Sequence, residues 1–204
     1  MGCSGQLHAK RISIVIADLG KGGAQKVALD LCDHLQNTAC CNVQLVTFSN
    51  SQSDELQIPD GVKRRALNLQ IEAVGPLAKL IGLGRRLTKL RSAVLSFDSQ
   101  LVIAFTGRTN IEAVVAMTCS SIPVIISERN DPTLQSLGAF WDRLRRLFYR
   151  RARIITANNP AAIDFLANFV PIQKLQRVYN PIHHDNFVLS QITLSKRLLA
   201  MGRL

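Results

Sequence analysis

The sequence predicts an α/β chain built on a doubly wound parallel sheet. Three observations carry that reading. Residues 11–17, RISIVIA, form a short β-branched apolar run that breaks at Asp18-Leu19-Gly20-Lys21-Gly22-Gly23, as a buried parallel strand does on entering a glycine loop. Further runs of that kind alternate with helically spaced apolar residues down the chain, the pattern of strands joined by crossover helices. Residues 196–204, KRLLAMGRL, read as a fresh apolar strand running into a glycine turn. Such a strand opens a new unit, because it needs a crossover helix and a neighbouring strand to cover its faces.

The elements follow in order. After strand one, residues 24–35 carry Val27, Ala28, Leu31 and Leu35 at helical spacing. Residues 43–48 and 62–67 predict the second and third strands. A long helix is predicted over 76–95, with Pro76 suited to its first turn. Strand four covers 101–105 and the next helix 109–117. Strand five covers 124–127, entered through Pro123; a helix over 140–151 and strand six over 153–156 follow. Asn159 and Pro160 supply a cap and a first turn for another helix, and residues 176–179 a seventh strand. Residues 1–10 read as a mobile terminus, 11–180 as one domain, 181–195 as a linker, and 196–204 as the first strand of a second, absent domain.

Composition narrows the function. At 204 residues and 47% hydrophobic, the chain can bury a sizeable single core. No apolar run approaches the roughly 18 residues that a membrane-spanning helix needs. The start, MGCSGQLHAK, lacks the apolar core of a secretory signal, and Gln6 stands where the myristoylation pattern wants Ser or Thr. The five cysteines form no C-x-x-C pair and have no His at ligand spacing, so no metal is expected; Cys32 and Cys119 read as small buried hydrophobes. The net charge is +11, yet aromatics make up only 5% of the chain. Binders of single-stranded nucleic acid interleave basic and stacking residues, so no nucleic-acid partner is expected.

In an open parallel sheet, ligands sit outside the carboxyl ends of the strands. After strand one, Gly22 and Gly23 let backbone amides approach a ligand at a helix start, where the dipole favours an anion. The loop is not a dinucleotide fingerprint. Gln25 stands where a third glycine belongs, and strand two ends Thr47-Phe48-Ser49-Asn50 without an acidic ribose partner. After strand four, Thr106, Gly107 and Arg108 make a polar wall, although Thr109 serves equally as a helix cap. After strand five come Glu128, Arg129, Asn130 and Asp131, the densest chemical cluster in the chain.

The segments RISIVIADLGKGGAQKVALDL, VIISERNDP, ARIITANNPAAIDFL, VYNPI and RLLAMGRL, in this order, resemble the N-terminal half of a family 4 glycosyltransferase of GT-B fold. The likeness is to the branch that builds bacterial surface polysaccharides, such as lipopolysaccharide, on lipid carriers. The resemblance implies two Rossmann-like domains facing a cleft and a retaining sugar transfer that needs neither cofactor nor metal. It implies a nucleotide sugar held by the C-terminal domain and a lipid-linked or glycan acceptor received by the N-terminal one. Carried over by residue, Gly22 and Gly23 face the donor phosphates. Glu128, Arg129 and Asn130 line the acceptor side with Thr106 and Arg108, and Asn180-Pro181 begin the hinge. Gln25-Lys26 depart from the Glu-Arg of many members. No catalytic residue is assigned, since the family's Glu-x7-Glu segment would follow Leu204. The chain alone is expected to be inactive.

Two helical segments concentrate the charge. Over 77–95, Leu77, Leu80, Ile81, Leu87, Leu90 and Val94 share a stripe, with Lys79, Arg85, Arg86 and Lys89 largely opposite. Over 140–153, Phe140, Trp141, Leu144, Leu147 and Phe148 lie on one side, with six arginines between Arg143 and Arg153. Basic amphipathic helices can lie on anionic lipid. Arg143, Arg145, Arg146, Arg150 and Trp141 are therefore the expected membrane contacts, and the location a peripheral one on the cytoplasmic face of the cell membrane. The alternative is a non-catalytic basic module that binds lipid-linked glycan or anionic membrane.

Overall fold

The computed structural model describes residues 9–69 and 75–181. The N-terminal residues 1–8, most of the linker and the strand expected over 196–204 lie outside the described residues. Among the described residues, seven strands form one sheet: β1 Arg11–Ile16, β2 Asn42–Thr47, β3 Lys63–Ala66, β4 Leu101–Phe105, β5 Val124–Glu128, β6 Ile154–Ala157 and β7 Leu175–Arg177. Their order is β3-β2-β1-β4-β5-β6-β7, and every neighbouring pair is parallel. The chain winds outward from β1 to β3, then crosses back to β4 and winds the other way. The crevice between the ends of β1 and β4 is therefore the topological switch point, where such sheets bind ligands.

Five α-helices among the described residues cover the sheet: α1 Gly23–Asp33, α2 Pro76–Ser96, α3 Gly107–Met117, α4 Ala139–Phe148 and α5 Pro160–Ala167. Two cores result. One holds Ile14, Ile16, Leu45 and Phe105 under Ala28 and Cys32 of α1. The other holds Val15, Val46, Val102, Ala104, Ile126 and Ile155 under α2, α3 and α5. Each such side chain contributes about 1.5–3 kcal/mol on full burial. The continuous apolar runs follow from this, since strands covered on both faces have no solvent side to alternate toward.

Three boundaries differ from the sequence reading in ways that matter for the site. The third helix begins at Gly107 rather than 109, its N-cap being Thr106 at φ 70°, so the glycine turn is part of the helix entry. The fifth strand runs on through Glu128, because its pairing with β6 continues to Glu128 opposite Ala157. The fourth helix ends at Phe148, and a short 3₁₀ turn, Tyr149–Arg151, follows. Cys32 is buried as expected, whereas Cys119 is exposed.

Candidate active site

A cleft of about 660 Å³ opens at the switch point. Ala17, Asp18 and Gly20 come from the turn after β1, Phe48 and Ser49 from the end of β2, and Thr106 to Thr109 from the start of α3. Arg86 of α2, Asn130 and Leu137 complete its lining with Ser53 and Leu69. Parallel strands end together on one edge, so these short loops converge although they are far apart in sequence.

The glycine-loop side is organised by Asp18. Its Oδ1 accepts from the Gly20 amide at 3.0 Å and from Gln25 Nε2 at 2.9 Å. This holds Gln25 across the loop, and a Cβ on Gly22 would collide with the Gln25 side-chain amide. A side chain at Gly22 would therefore displace the Gln25 amide from Asp18, while a Cβ on Gly23 would meet nothing within 4 Å. Gly22 and Gly23 start α1 beside the cleft; Gly20 is the loop glycine that lines it.

The opposite wall is an ion cluster. Glu112 of α3, fully buried, takes Arg86 in a two-pronged pair, Nε–Oε1 2.9 Å and Nη2–Oε2 2.7 Å. Arg86 also donates to the Leu69 carbonyl at 3.1 Å and lies 3.7 Å from the centre of the Phe48 ring. Arg108, one helical turn before Glu112, adds a third contact, Nε–Oε1 3.0 Å, and stacks 4.4 Å from the Trp141 ring centre. A buried carboxylate persists as a charge only with such partners.

Comparison with known proteins bears on this cleft. The sequence profile described as Glycosyltransferase Family 4 matches residues 21–186, most of the chain. The chain belongs to glycosyltransferase family 4. A curated relative from Campylobacter jejuni is 26% identical over 196 residues, which are 95% of this chain and 53% of the relative. Its name is GalNAc-alpha-(1->4)-GalNAc-alpha-(1->3)-diNAcBac-PP-undecaprenol alpha-1,4-N-acetyl-D-galactosaminyltransferase. Among solved structures, the apo form of the lipopolysaccharide outer core galactosyltransferase WaaB superposes with TM-score 0.67 at 13% identity, over 84% of this chain and 46% of that one. Anabaena HepE, solved in complex with UDP-glucose, superposes with TM-score 0.64 at 15% identity, over 84% and 44%. These structures share the fold: this sheet is one Rossmann-like half of the GT-B architecture. The chain spans about half the length of the relatives it matches.

Within this family 4 domain, the residues singled out from sequence separate into different environments. Thr106, Arg108 and Asn130 line the cleft. Glu128 does not. It is 1% exposed, which corrects its placement on a cleft loop. Tyr149 donates its hydroxyl proton to Glu128 Oε2 at 2.6 Å, and Arg145 Nε lies 4.0 Å from the same oxygen. Burial pushes the Glu128 carboxyl above its usual range, against the opposing pull of Tyr149, Arg145 and the backbone amides of Gly107 and Asn130. Burial likewise pushes the Tyr149 phenol well up, and the Glu128 charge adds to it. The Glu128 carboxyl therefore sits behind the cleft wall, and the Tyr149 hydroxyl it binds also reaches the Gly107 carbonyl at the Thr106–Arg108 turn.

Arg129 also faces elsewhere. It donates to Ser127 Oγ at 2.8 Å and to Asn180 Oδ1 at 2.8 Å, so it ties the end of β5 to the chain's exit beside Pro181. Alternation along the strand sends consecutive residues to opposite faces, and the run of polar residues gave no means to assign them.

The helices correct further expectations. Arg145 is 2% exposed, paired with Asp142 Oδ1 at 3.3 Å, and cannot meet lipid. Trp141 packs against Arg108 and the core rather than facing outward. The outward face of α4 carries Phe140, Arg143, Arg146 and Leu147, with Arg150 just beyond. On α2 the expected faces partly reverse: Arg86 is buried, while Leu80 and Ile81 are 64% and 56% exposed. Glu112, Arg86 and Tyr149 were missed as site residues. The one signal for the first was an acid among Ile111, Ala113 and Val114 on a buried helix, which requires a cationic partner.

Proposed function

We propose that this domain receives the acceptor in a retaining transfer of sugar from a nucleotide-sugar donor to a lipid-linked glycan. The observation that carries the reading is the polar cleft at the switch point, in a chain of family 4. Glycosyl transfer needs an acceptor hydroxyl held beside the anomeric carbon and charge stabilised on the departing diphosphate. The cleft offers donors for positioning in Thr106, Arg108 and Asn130. Gly22 and Gly23 face the donor phosphates in this reading, and the donor domain follows Asn180-Pro181, which act as its hinge. The half-length match to relatives supports that division, and the undecaprenol in the Campylobacter name supports a lipid-linked acceptor. No metal or cofactor takes part; the nucleotide sugar is a substrate, and the product belongs to a bacterial surface polysaccharide such as lipopolysaccharide.

The domain works at the cytoplasmic face of the membrane. No described helix is long and apolar enough to cross a bilayer, but exposed Phe140, Leu147, Leu80 and Ile81 stand among Arg143, Arg146, Lys79 and Arg85. Both helices begin at the cleft edge of the sheet, so docking by these residues would present the cleft to a lipid-linked acceptor. Each cation near an anionic surface contributes about 1 kcal/mol.

The test is transfer of labelled sugar from nucleotide sugars to polyprenyl-diphosphate glycans. The chain fused to a family 4 donor domain should turn over, and the 204-residue chain alone should not. Turnover by the chain alone would overturn the division between domains.

A further inference from the structure

The ion cluster on the cleft wall contains more cation than its carboxylate needs. Arg86 alone satisfies both oxygens of Glu112 and neutralises it. Arg108 adds a second full charge and spends only its Nε on Glu112. Its side chain is 39% exposed and lines the cleft, and among the described residues its two terminal nitrogens have no hydrogen-bond acceptor. The other acid in the cleft, Asp18, is turned into the glycine loop by Gly20 and Gln25.

The arm is also held rigid. The Glu112 contact fixes the guanidinium at one edge and the Trp141 ring supports its face. An exposed arginine otherwise loses rotamer freedom on binding, and a pre-set one loses less. A planar guanidinium with a free edge matches the paired oxygens of a phosphate. The same turn starts α3 without a side-chain cap from Thr106, and its first amides, of which that of Gly107 faces Glu128, add partial positive charge at that spot.

We propose that Arg108 is a phosphate-binding arm of the cleft, held by Glu112 and Trp141, which grips a diphosphate of the bound substrate. The inference rests on the glycosyl-transfer reading. Two diphosphates qualify: that of the nucleotide donor, and that joining the acceptor glycan to its lipid.

The experiment is calorimetric titration of the 204-residue chain with UDP and, separately, with farnesyl diphosphate below its micelle concentration. Arg108→Gln should weaken binding of at least one by tenfold or more, and rising salt should weaken it in the unaltered chain. Loss for UDP alone assigns the arm to the donor; loss for farnesyl diphosphate alone assigns it to the acceptor. Arg108→Lys keeps the charge beside Glu112 but lacks the planar edge. It should recover only part of the loss, and it replaces Arg108→Gln as the test if that variant unfolds. Equal affinity of unaltered and variant chains for both ligands overturns the proposal, as does no binding of either at millimolar concentration. That result, with sugar transfer intact in the completed enzyme, would leave the transfer reading standing. Arg108-dependent binding without any transfer would instead remove that reading.

Discussion

Truncating Glu128 to Ala tests the interior behind the cleft. The carboxylate is 1% exposed and accepts the Tyr149 hydroxyl at 2.6 Å. Its loss leaves that phenol with the Gly107 carbonyl, at 3.5 Å, to donate to, and the Asn110 amide, at 3.4 Å, donating to it. It also strands Arg145, 2% exposed, with Asp142 as its one remaining acid. Breaking a buried pair from one side costs about 3–5 kcal/mol. The lower end applies here, about 3 kcal/mol, because desolvation already disfavours the Glu128 charge and Arg145 keeps Asp142. In a chain of this size each kcal/mol moves Tm by about 2–4 °C, so the variant should melt about 6–12 °C lower. Thermal unfolding of the purified chain at pH 7, followed by circular dichroism, measures it. A shift under about 2 °C would refute the buried-network argument and return Glu128 to the cleft.

The sign of the pH dependence gives an independent check. Burial raises the Glu128 pKa in the folded chain, so the folded state holds this proton more tightly than the unfolded one. That contribution is complete below the unfolded value, about 4.3, and is lost as pH rises through the folded value. Glu128→Gln has no such proton, so the stability difference between variant and wild type should move in the variant's favour between pH 4 and 7. Movement the other way would mean that Arg145 and Tyr149 outweigh burial.

Three further outcomes follow from the packing. Changing Arg143, Arg146 and Arg150 together to Gln should weaken sedimentation with anionic vesicles several-fold, whereas Arg145→Gln should lower Tm and leave lipid binding per folded molecule unchanged; the reverse pattern would remove α4 as the docking face. Gly107→Ala places a Cβ 2.9 Å from Leu137 Cδ1 and 3.3 Å from Arg145 Nη2, and should cost about 1–2 kcal/mol by denaturant titration. Asn159→Ala removes the cap on α5, where Oδ1 accepts the Ala162 amide at 2.7 Å, for about 1 kcal/mol in the same assay.

Much of this domain was legible from local pattern. Residues 11–16, 43–47 and 101–105 are apolar runs of strand length, and a strand buried on both faces has no other way to be written. The Pro76 and Asn159-Pro160 helix starts were visible because capping and proline geometry act within a few residues. The cleft loops were legible as well, since the edge that carries the cleft follows from parallel topology alone. Thr106, Arg108 and Asn130 were placed in this way.

What the sequence could not decide is which charged side chains face inward. Arg86 sits next to the exposed Arg85, and Arg145 between the exposed Arg143 and Arg146, and no local pattern marks them off. Arg86 is buried because Glu112, 26 residues on, is packed against it. Arg145 is buried because β5 carries Glu128 to the same layer and Tyr149 closes over both. Leu80 and Ile81 share an apolar stripe with the buried Leu90 and Val94 yet are exposed, for the complementary reason: a helical stripe names a face, while the neighbouring element determines how far along the helix that face is covered. Local propensity and apolar periodicity are short-range, and so the sequence by itself determined the strands, the helices and the edge that carries the cleft. Pairing of Arg86 with Glu112 and of Arg145 with Glu128, far outside the range of any helical or strand period, depends on how the layers stack, and only the tertiary structure decided it.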